Sequence, residues 1–448
     1  MRHSLLYRST ILIFTFFLLI VATLKAQAEI SQEERQKTYQ QLEVFANILS
    51  LLQDNYVEEI DSKKTINGAI RGLLYSLDPH SSYLDPEEFK ELQEETQGQF
   101  SGIGIEITIK DDVLSVISPI EGTPADLAGL KAKDIIVEIN GEKTKEMGAY
   151  EAVKRLRGPK GSDVTISISR EGWDELKTFT LKRDLIPLQS VKAHFLEPGI
   201  AYTRITNFQS HTTSDYVEAL SRLAKQEPIT GLILDLRNNP GGLLNQAVSI
   251  SDTFLEDGMI VSTKGRTEDQ NMSFKAHKTP DDYHFPLVVL VNEGSASASE
   301  IVAGAIQDHK RGIIVGTRTF GKGSVQTIIP LPGDAGLRLT TAKYYTPAGK
   351  SIQALGISPD VEVTFIPYKT DGAQKQDLKK QRLREEDLKN HFPGTQEGQS
   401  QPEEEDGAVL DDFPDSQTIS MQLEQDNQLR TALNILKSLN LYFRNTKK

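Results

Sequence analysis

The sequence of 448 residues contains no cysteine. This absence excludes disulfide bonds, thiolate nucleophiles and zinc sites built from cysteine. Positive charge is also scarce, because 50 lysines and arginines face 63 acidic residues and the net charge is −13. An acidic chain lacks the electrostatic footprint of a nucleic-acid-binding protein. We therefore expect no nucleic-acid partner, and the missing thiols fit an oxidising compartment.

An apolar run at residues 11–24 follows a short basic stretch at the N-terminus. The run is shorter than the roughly 20 residues that cross a bilayer. Ala26-Gln27-Ala28 follows it as a small-x-small cleavage site. This layout predicts a signal peptide over residues 1–28, and hence an exported protein of the periplasm or cell envelope. The alternative is an uncleaved run that anchors the protein to the inner membrane.

Changes of composition divide the rest of the chain into segments of different texture. The first and last have apolar residues at helical spacing, and the second has short β-branched runs between turns. The third alternates buried strands with helices, which predicts an α/β layer architecture in a multidomain α/β protein. The fourth is acidic and polar and is predicted to be disordered. In order, the segments are 29–96 (helical region), 97–185 (β-rich), 186–368 (α/β core), 369–422 (linker) and 423–448 (C-terminal helix).

A serine-rich turn links an apolar strand to a helix in Gly294-Ser-Ala-Ser-Ala-Ser-Glu-Ile. A serine at the start of a helix has backbone N–H groups beside it, as an acyl-transfer nucleophile and its oxyanion hole require. Ser297 and Glu300 also fit a capping box, which alone accounts for a serine at this place. Spacing leaves Ser295 and Ser299 open as nucleophiles beside Ser297.

A nucleophilic serine needs a base. No histidine lies in a local motif typical of a Ser-His-Asp triad, although His80, His194 and His211 stay open as partners. Lys322, in Phe320-Gly-Lys-Gly-Ser-Val-Gln326, is the other candidate. Burial lowers the pKa of a lysine, so that the neutral amine can accept a proton. The alternative is a solvated loop lysine.

The same lysine ends a segment that looks like a phosphate-binding P-loop, Gly316-x-x-x-x-Gly321-Lys322. Gly323 stands where the magnesium-binding serine or threonine should follow, and a β-prone stretch replaces the expected helix. We therefore expect no nucleotide binding.

A further element is Leu232-Ile-Leu-Asp-Leu-Arg-Asn-Asn-Pro-Gly-Gly242, in which a buried strand runs into a glycine turn. Paired glycines can present a backbone N–H to an oxyanion. The alternative is an ordinary turn between a strand and a helix.

In this order, the three motifs resemble those of the C-terminal processing (tail-specific) peptidase family. The resemblance implies a crotonase/ClpP-like α/β peptidase core, with no metal and no organic cofactor. It also implies a nucleophile, a base, a glutamine that supports the base, and backbone oxyanion donors: Ser297, Lys322, Gln326, Ala298, and Gly241 or Gly242.

The β-rich segment resembles a PDZ domain, inserted before the core. Phe100-Ser-Gly-Ile-Gly-Ile105 is similar to the carboxylate-binding loop of such domains, in which backbone N–H groups capture a peptide C-terminus. The peptide-binding residues implied are Gly102, Ile103, Gly104 and Ile105. Arg157-Gly-Pro-Lys-Gly161 resembles a segment that couples the PDZ domain to the active site, although Arg157 is equally typical of a salt-bridged surface residue.

The predicted function is that of an exported serine endopeptidase that binds unstructured protein C-termini and cleaves near them. The alternative is a non-catalytic PDZ tail-binding scaffold in the cell envelope. Two further expectations concern partners: an activating adaptor protein acting through the helical segments 30–95 and 425–440, and a homo-oligomer formed through the helical ends.

Overall fold

A computed structural model describes residues 35–110, 113–145, 147–279, 283–366, 384–392 and 416–446. The chain forms two compact units, Met1–Leu73 and Leu74–Lys448. In the first unit, helix α1 spans 35–55 and most of helix α2 (Ser62–Tyr75) follows. The predicted signal peptide lies outside the described residues. Within the described ranges, no helix has both the length and the apolar character needed to cross a membrane.

The second unit combines helices with several β-sheets. Its remaining helices are α3 (Pro86–Thr96), α4 (Pro124–Leu127), α5 (Ala149–Leu156), α6 (Thr212–Gln226), α7 (Leu244–Asp252), α8 (Ala298–Asp308), α9 (Ser416–Gln425) and α10 (Asn427–Thr446). Its strands are β1 (Ser82–Leu84), β2 (Gln99–Gly102), β3 (Ile105–Lys110), β4 (Val113–Pro119), β5 (Ile135–Ile139), β6 (Glu142–Lys143), β7 (Asp163–Ser169), β8 (Lys177–Lys182), β9 (Asp184–Pro187), β10 (Val191–Glu197), β11 (Ile200–Ile205), β12 (Gly231–Asp235), β13 (Met259–Gly265), β14 (Ser273–Lys275), β15 (Leu287–Val291), β16 (Ile313–Gly316), β17 (Ser324–Pro330), β18 (Gly336–Tyr345) and β19 (Val361–Glu362).

The β-rich segment folds around its own apolar core. Its sheet has the order β3-β4-β5-β7-β8, with β6 paired to β5. Ile136, Ile139, Val164 and Ile166 are fully buried there, as the alternation of apolar residues predicts. Strands β2 and β9 pair antiparallel and bring the two ends of the segment together. β3 is an edge strand, so that the described part of the chain leaves one of its sides open to a peptide.

The α/β core is built on a sheet of order β10-β11-β12-β15-β16-β19, parallel from β11 onward. Strand β12 is buried on both faces, as is typical of a parallel sheet between helices. Leu234 packs into a core with residues of α6, α7 and α8. Ile233 faces the other way and packs with Leu433 and Leu436 of α10. The predicted α/β layers are therefore present.

Strands β17 and β18, which follow β16, belong to a second sheet together with β1, β13 and β14. β18 pairs with β17, β13 and β1, so that residues 82–84 lie beside residues 336–338. This pairing brings the chain around His80 to the same region as the Lys322 loop, which directly precedes β17.

Within the predicted linker 369–422, the structure describes residues 384–392 and the start of α9. Residues 384–392 pack against the core through hydrogen bonds to Phe320 and Gln353. Composition does not reveal such packing, because specific partners elsewhere in the chain fix the segment. The remaining linker residues lie outside the described ranges, and the domain boundaries stay a prediction.

Candidate active site

The three motifs follow three neighbouring parallel strands. β12 ends at Asp235, β15 at Val291 and β16 at Gly316, and the chain leaves each strand on the same edge of the sheet. The carboxyl ends of strands in an open α/β sheet are the usual place for a site. This topology explains why segments far apart in sequence meet around Ser297.

Ser297 has a backbone conformation rare for a non-glycine residue, with φ 52° and ψ −111°. Such strain persists only where the surroundings hold it. Ala296 N–H donates to Asn239 O at 2.9 Å, and Ser297 N–H donates to the Glu300 carboxylate at 2.8 Å. The turn therefore presents the serine at the start of α8 from a backbone held on both sides.

Burial separates the three candidate serines that spacing leaves open. Ser295 and Ser299 are completely buried, and their hydroxyls donate to Leu236 O at 2.7 Å and Asn239 O at 2.9 Å. Ser297 keeps 8% of its surface exposed. The structure therefore favours Ser297 over its neighbours as the accessible hydroxyl.

The glycine turn after β12 lies directly against this serine. A Cβ on Gly241 would lie 2.8 Å from Ser297 Cβ and 2.9 Å from Ala298 N. Gly241 N–H already donates to Asn239 Oδ1 at 2.9 Å. The N–H groups of Gly242 and Ala298 have no acceptor within the described part of the chain. Of the two glycines, Gly242 thus has the N–H that is free to face an oxyanion in this conformation.

Glu300 joins the nucleophile turn to the lysine loop, a role that its position in a capping box does not reveal. Its carboxylate is completely buried, and burial raises its pKa to about 7. One oxygen, Oε2, accepts from the N–H groups of both Ser297 and Lys322 at 2.8 and 2.9 Å. The other accepts from Gly321 N–H at 2.7 Å and from the Thr319 hydroxyl at 2.5 Å.

Lys322 lies mostly buried in this loop. Burial lowers its pKa below the ordinary value, and the nearby positive charge of Arg338 acts in the same direction. The carboxylates of Glu385, Glu300 and Asp78 oppose that change and favour the charged amine. Among the described residues, no direct hydrogen bond joins Lys322 Nζ to Ser297 Oγ. A lowered pKa is what a lysine base requires.

The other candidate partners lie elsewhere. Gln326 donates to Ser324 Oγ at 2.9 Å, not to Lys322. His80 Nε2 lies 2.8 Å from the Glu385 carboxylate oxygens. His194 packs on Tyr202 with ring centroids 5.0 Å apart, and burial lowers its pKa to about 4. His211 precedes α6, and within the described ranges none of the three histidines is hydrogen-bonded to Ser297.

The predicted carboxylate-binding loop lines a groove of about 430 Å³ between β3 and α5. Gly102, Ile103, Gly104 and Ile105 all border it, together with apolar residues of β3 and α5. Gly104 has φ 76°, and any side chain there would overlap Thr123. Thr123 Oγ1 donates to Gly104 O at 3.0 Å and so fixes the loop.

Arg157 lies at the end of α5, on the border of the same groove. Its guanidinium lies 5.2 Å from the centre of the Phe100 ring and 3.7 Å from the Glu95 carboxylate. These contacts tie the end of α5 to α3 and β2. A coupling role for Arg157 stays a prediction, since the same contacts suit a surface salt bridge.

Sequence reasoning missed a buried ionic cluster behind the glycine turn. Arg237 is held by Asp235 and, at 2.7 Å, by Asp426 at the start of α10. Asp235 also accepts from the Tyr202 hydroxyl at 2.8 Å. A charged pair next to a buried strand was the available signal, but the partner on α10 has no signature in sequence.

Comparison with known proteins identifies the family. The model of peptidase family S41 matches residues 199–363, the PDZ domain model matches residues 91–169, and the model of the activating protease CtpB N-terminal domain matches residues 15–88. A carboxy-terminal-processing protease of Bartonella bacilliformis is 45% identical over 372 residues, which are 82% of this chain and 84% of that protein. The chain belongs to the carboxy-terminal-processing protease family.

Two further proteins are similar over a smaller share of the chain. A carboxyl-terminal-processing protease of Synechocystis is 41% identical, covering 71% of this chain and 76% of that protein. The solved structure of a photosystem II D1 C-terminal processing protease is 35% identical, covers 71% of this chain and 86% of that one, and has a TM-score of 0.44. The predicted family, α/β multidomain fold, PDZ domain and serine-protease activity are thus confirmed.

Proposed function

We propose that this carboxy-terminal-processing protease is exported, binds protein C-terminal tails through its PDZ domain and cleaves near them with a Ser297–Lys322 dyad. The observation that supports the dyad best is the shared Glu300 oxygen, which accepts from the N–H groups of both residues. Ser297 is also the accessible serine of its turn, and burial lowers the pKa of Lys322.

In this mechanism neutral Lys322 takes the proton of Ser297 Oγ as that oxygen attacks the carbonyl carbon of the scissile peptide. The N–H groups of Ala298 and Gly242 stabilise the oxyanion. Lys322 then gives the proton to the leaving amine as the C–N bond breaks, which leaves an acyl ester on Ser297. A water molecule, deprotonated by Lys322, hydrolyses that ester and restores the hydroxyl. Gln326 is proposed as a support of the lysine when substrate is bound.

Tail recognition rests on the groove beside β3. A peptide that pairs with this edge strand would direct its terminal carboxylate to the N–H groups of the Gly102–Ile105 loop. The side chains that line the groove include Ile105, Ile107, Val153 and Leu156. We therefore propose substrates with unstructured C-termini that end in apolar residues.

The decisive experiment compares the purified wild-type protease with Ser297→Ala and Lys322→Ala. We expect both variants to keep the wild-type melting temperature and to lose at least about 10⁴-fold in kcat. Full activity of Ser297→Ala would overturn the nucleophile, and neutral-pH activity of Lys322→Ala would overturn the base. A peptide with a free apolar C-terminus should be cleaved faster than its C-terminal amide if the PDZ domain reads the carboxylate.

The same assay addresses the proposed partners. A purified enzyme that cleaves only after an envelope extract is added would favour an activating adaptor. A non-catalytic scaffold would bind the free-acid peptide without cleaving it under any condition. Mass spectrometry of envelope protein C-termini, with wild-type protein or Ser297→Ala, would identify the natural substrates.

Export is proposed from residues 1–28 alone. If the signal peptide is cleaved after Ala28, the mature protein begins at Glu29, which N-terminal sequencing of the envelope fraction would show. An intact N-terminus in the membrane fraction would favour the anchored alternative.

A further inference from the structure

The segment 384–392 lies against the loop that carries Lys322. Glu385 N–H donates to Phe320 O at 3.2 Å. Glu386 accepts from Arg318 Nη2 at 2.7 Å. Both partners belong to the stretch between β16 and β17, so the segment contacts the same loop as the proposed base.

The Glu385 side chain points inward. It is completely buried, and its carboxylate accepts from the Gln353 amide at 2.8 Å and lies 2.8 Å from His80 Nε2. Gln353 is also completely buried, and its Oε1 accepts from Gly323 N–H at 3.0 Å. The segment is therefore bonded to the residues on both sides of Lys322, directly at Phe320 and through Gln353 at Gly323.

Charged groups from several elements surround the lysine. Glu385 contributes the largest effect among them and favours the protonated amine. Glu300 from α8 and Asp78 from the chain before β1 act in the same direction. Arg338 from β18 acts against them. His80 faces Glu385 and completes this set of titratable and charged groups.

We propose that Glu385 is a positioning residue of this active site: it fixes the loop on both sides of Lys322 and holds a buried carboxylate in the surroundings of the proposed base. This inference rests on the proposed role of Lys322 as base. The segment 384–392 is then a wall of the active site, although its composition is that of a linker. Removing the Glu385 charge while keeping its bonds to the loop should make the neutral lysine available at lower pH.

The test compares Glu385→Gln with Glu386→Gln, which removes an equal charge from the next residue. Glu386 is partly exposed and pairs with Arg318 and Arg384, and it is not one of the charges named above that act on Lys322. We expect the acid limb of the kcat/KM–pH profile to move to lower pH in Glu385→Gln. The limb should stay in place in Glu386→Gln. A purely structural role of Glu385 would lower kcat without moving the limb.

Because burial raises the pKa of Glu300 to about 7 in the same site, a second measurement is needed to assign the acid limb to Lys322. In Ser297→Ala protein, the rate at which an amine reagent modifies Lys322 is followed by mass spectrometry across pH. The midpoint should be lower with Glu385→Gln added and unchanged with Glu386→Gln added. Glu385→Asp keeps the charge but withdraws it by one methylene, and should shift the midpoint in the same direction by less. This variant serves if Glu385→Gln does not fold.

The two proposals fail in different ways. Activity of Lys322→Ala would overturn the base, while the labelling midpoint would still measure the effect of Glu385 on the lysine. An inactive Lys322→Ala, together with labelling midpoints that are equal in Ser297→Ala protein with and without Glu385→Gln or Glu385→Asp, would overturn the role of Glu385 alone.

Discussion

The two halves of the candidate dyad are held in different ways. Ser297 stands on a turn that is held by Asn239, which follows β12, and by Glu300 of α8. Lys322 stands in a loop whose surroundings include Asp78 and Glu385, more distant in sequence. The position of Ser297 therefore depends on the backbone geometry of its own turn. The lysine half depends on charges that the tertiary fold assembles.

This difference predicts that steric changes around Ser297 abolish activity, whereas changes of charge around Lys322 shift its pH dependence. In the first, a Cβ or a lost backbone bond displaces reacting atoms. In the second, a changed charge moves the pH at which the lysine becomes neutral. Variants in the two halves should therefore have different signatures, one in kcat at every pH and one in the position of the acid limb.

Apart from removal of the dyad side chains themselves, the largest effect is expected from Gly241→Ala. The new Cβ would overlap Ser297 Cβ and Ala296 O, and φ is +105°, which a side chain rarely adopts. Displacement of the Ala298 N–H from the oxyanion should lower kcat on the order of 10²–10³-fold at every pH. Gly333→Ala is the matched control, with φ +78° and open space around it. If both variants lose activity equally, positive φ and not the contact with Ser297 is responsible.

A smaller loss is expected from Glu300→Gln. A glutamine has only one carbonyl oxygen, so its NH₂ group must take the place of the other carboxylate oxygen. In one orientation the NH₂ group faces the Gly321 N–H, and in the other it faces the N–H groups of Ser297 and Lys322. Each buried unsatisfied donor costs about 1–3 kcal/mol. Steady-state kinetics should show a fall in kcat of roughly 10–100-fold. The free energy of unfolding should fall by about 1–3 kcal/mol. A variant with wild-type kcat would show that the shared oxygen does not position the dyad.

The sequence predicts the serine half better than the lysine half, for a physical reason. A strand, a small-residue turn and a helix start are local features, and they predict a nucleophilic serine in this turn without tertiary information. Which serine is accessible depends on Leu236 and Asn239, which lie on another strand end. Spacing therefore leaves three serines open, and the family resemblance alone selects the middle one.

The surroundings of Lys322 could not be predicted in this way. Its charged neighbours Asp78, Arg338 and Glu385 belong to different elements that only the folded sheets bring together. Glu385 in particular lies in a polar stretch whose composition predicts disorder. Gln326 shows the same limit, because its amide donates to Ser324 and not to Lys322, and sequence spacing does not reveal that partner.

Arg338→Gln should reverse the effect expected of Glu385→Gln. Arg338 lowers the pKa of Lys322, so its loss favours the protonated amine and moves the acid limb to higher pH. At a pH on that limb kcat/KM should fall a few-fold, while the high-pH plateau stays near wild type. Arg338→Lys keeps the charge, although it loses the Nε bond to His80 O, and should leave the limb in place. A limb that moves equally in both variants would point to the hydrogen bond instead.

The smallest effect on activity is expected from Asp426→Asn, which tests how local the serine half is. Asp426 accepts from Leu429 N–H at 2.9 Å at the start of α10 and pairs with Arg237, two residues before Asn239. Asparagine keeps the cap but loses the charge, while Arg237 retains Asp235. The urea midpoint should therefore fall by the equivalent of about 1–2 kcal/mol, with kcat near wild type.

Asp426→Ala is the matched control for this variant, because it removes the cap as well and should cost about 1 kcal/mol more. Arg237 connects α10 to the chain that ends in the glycine turn, so a disturbance at Asp426 has a route to Ser297. If the bonds to Asn239 are enough to hold the turn, a change at Asp426 should lower the free energy of unfolding and leave kcat nearly unchanged. A fall in kcat as large as that of Gly241→Ala would instead make the C-terminal helix part of the oxyanion site, and the serine half would depend on distant residues as the lysine half does.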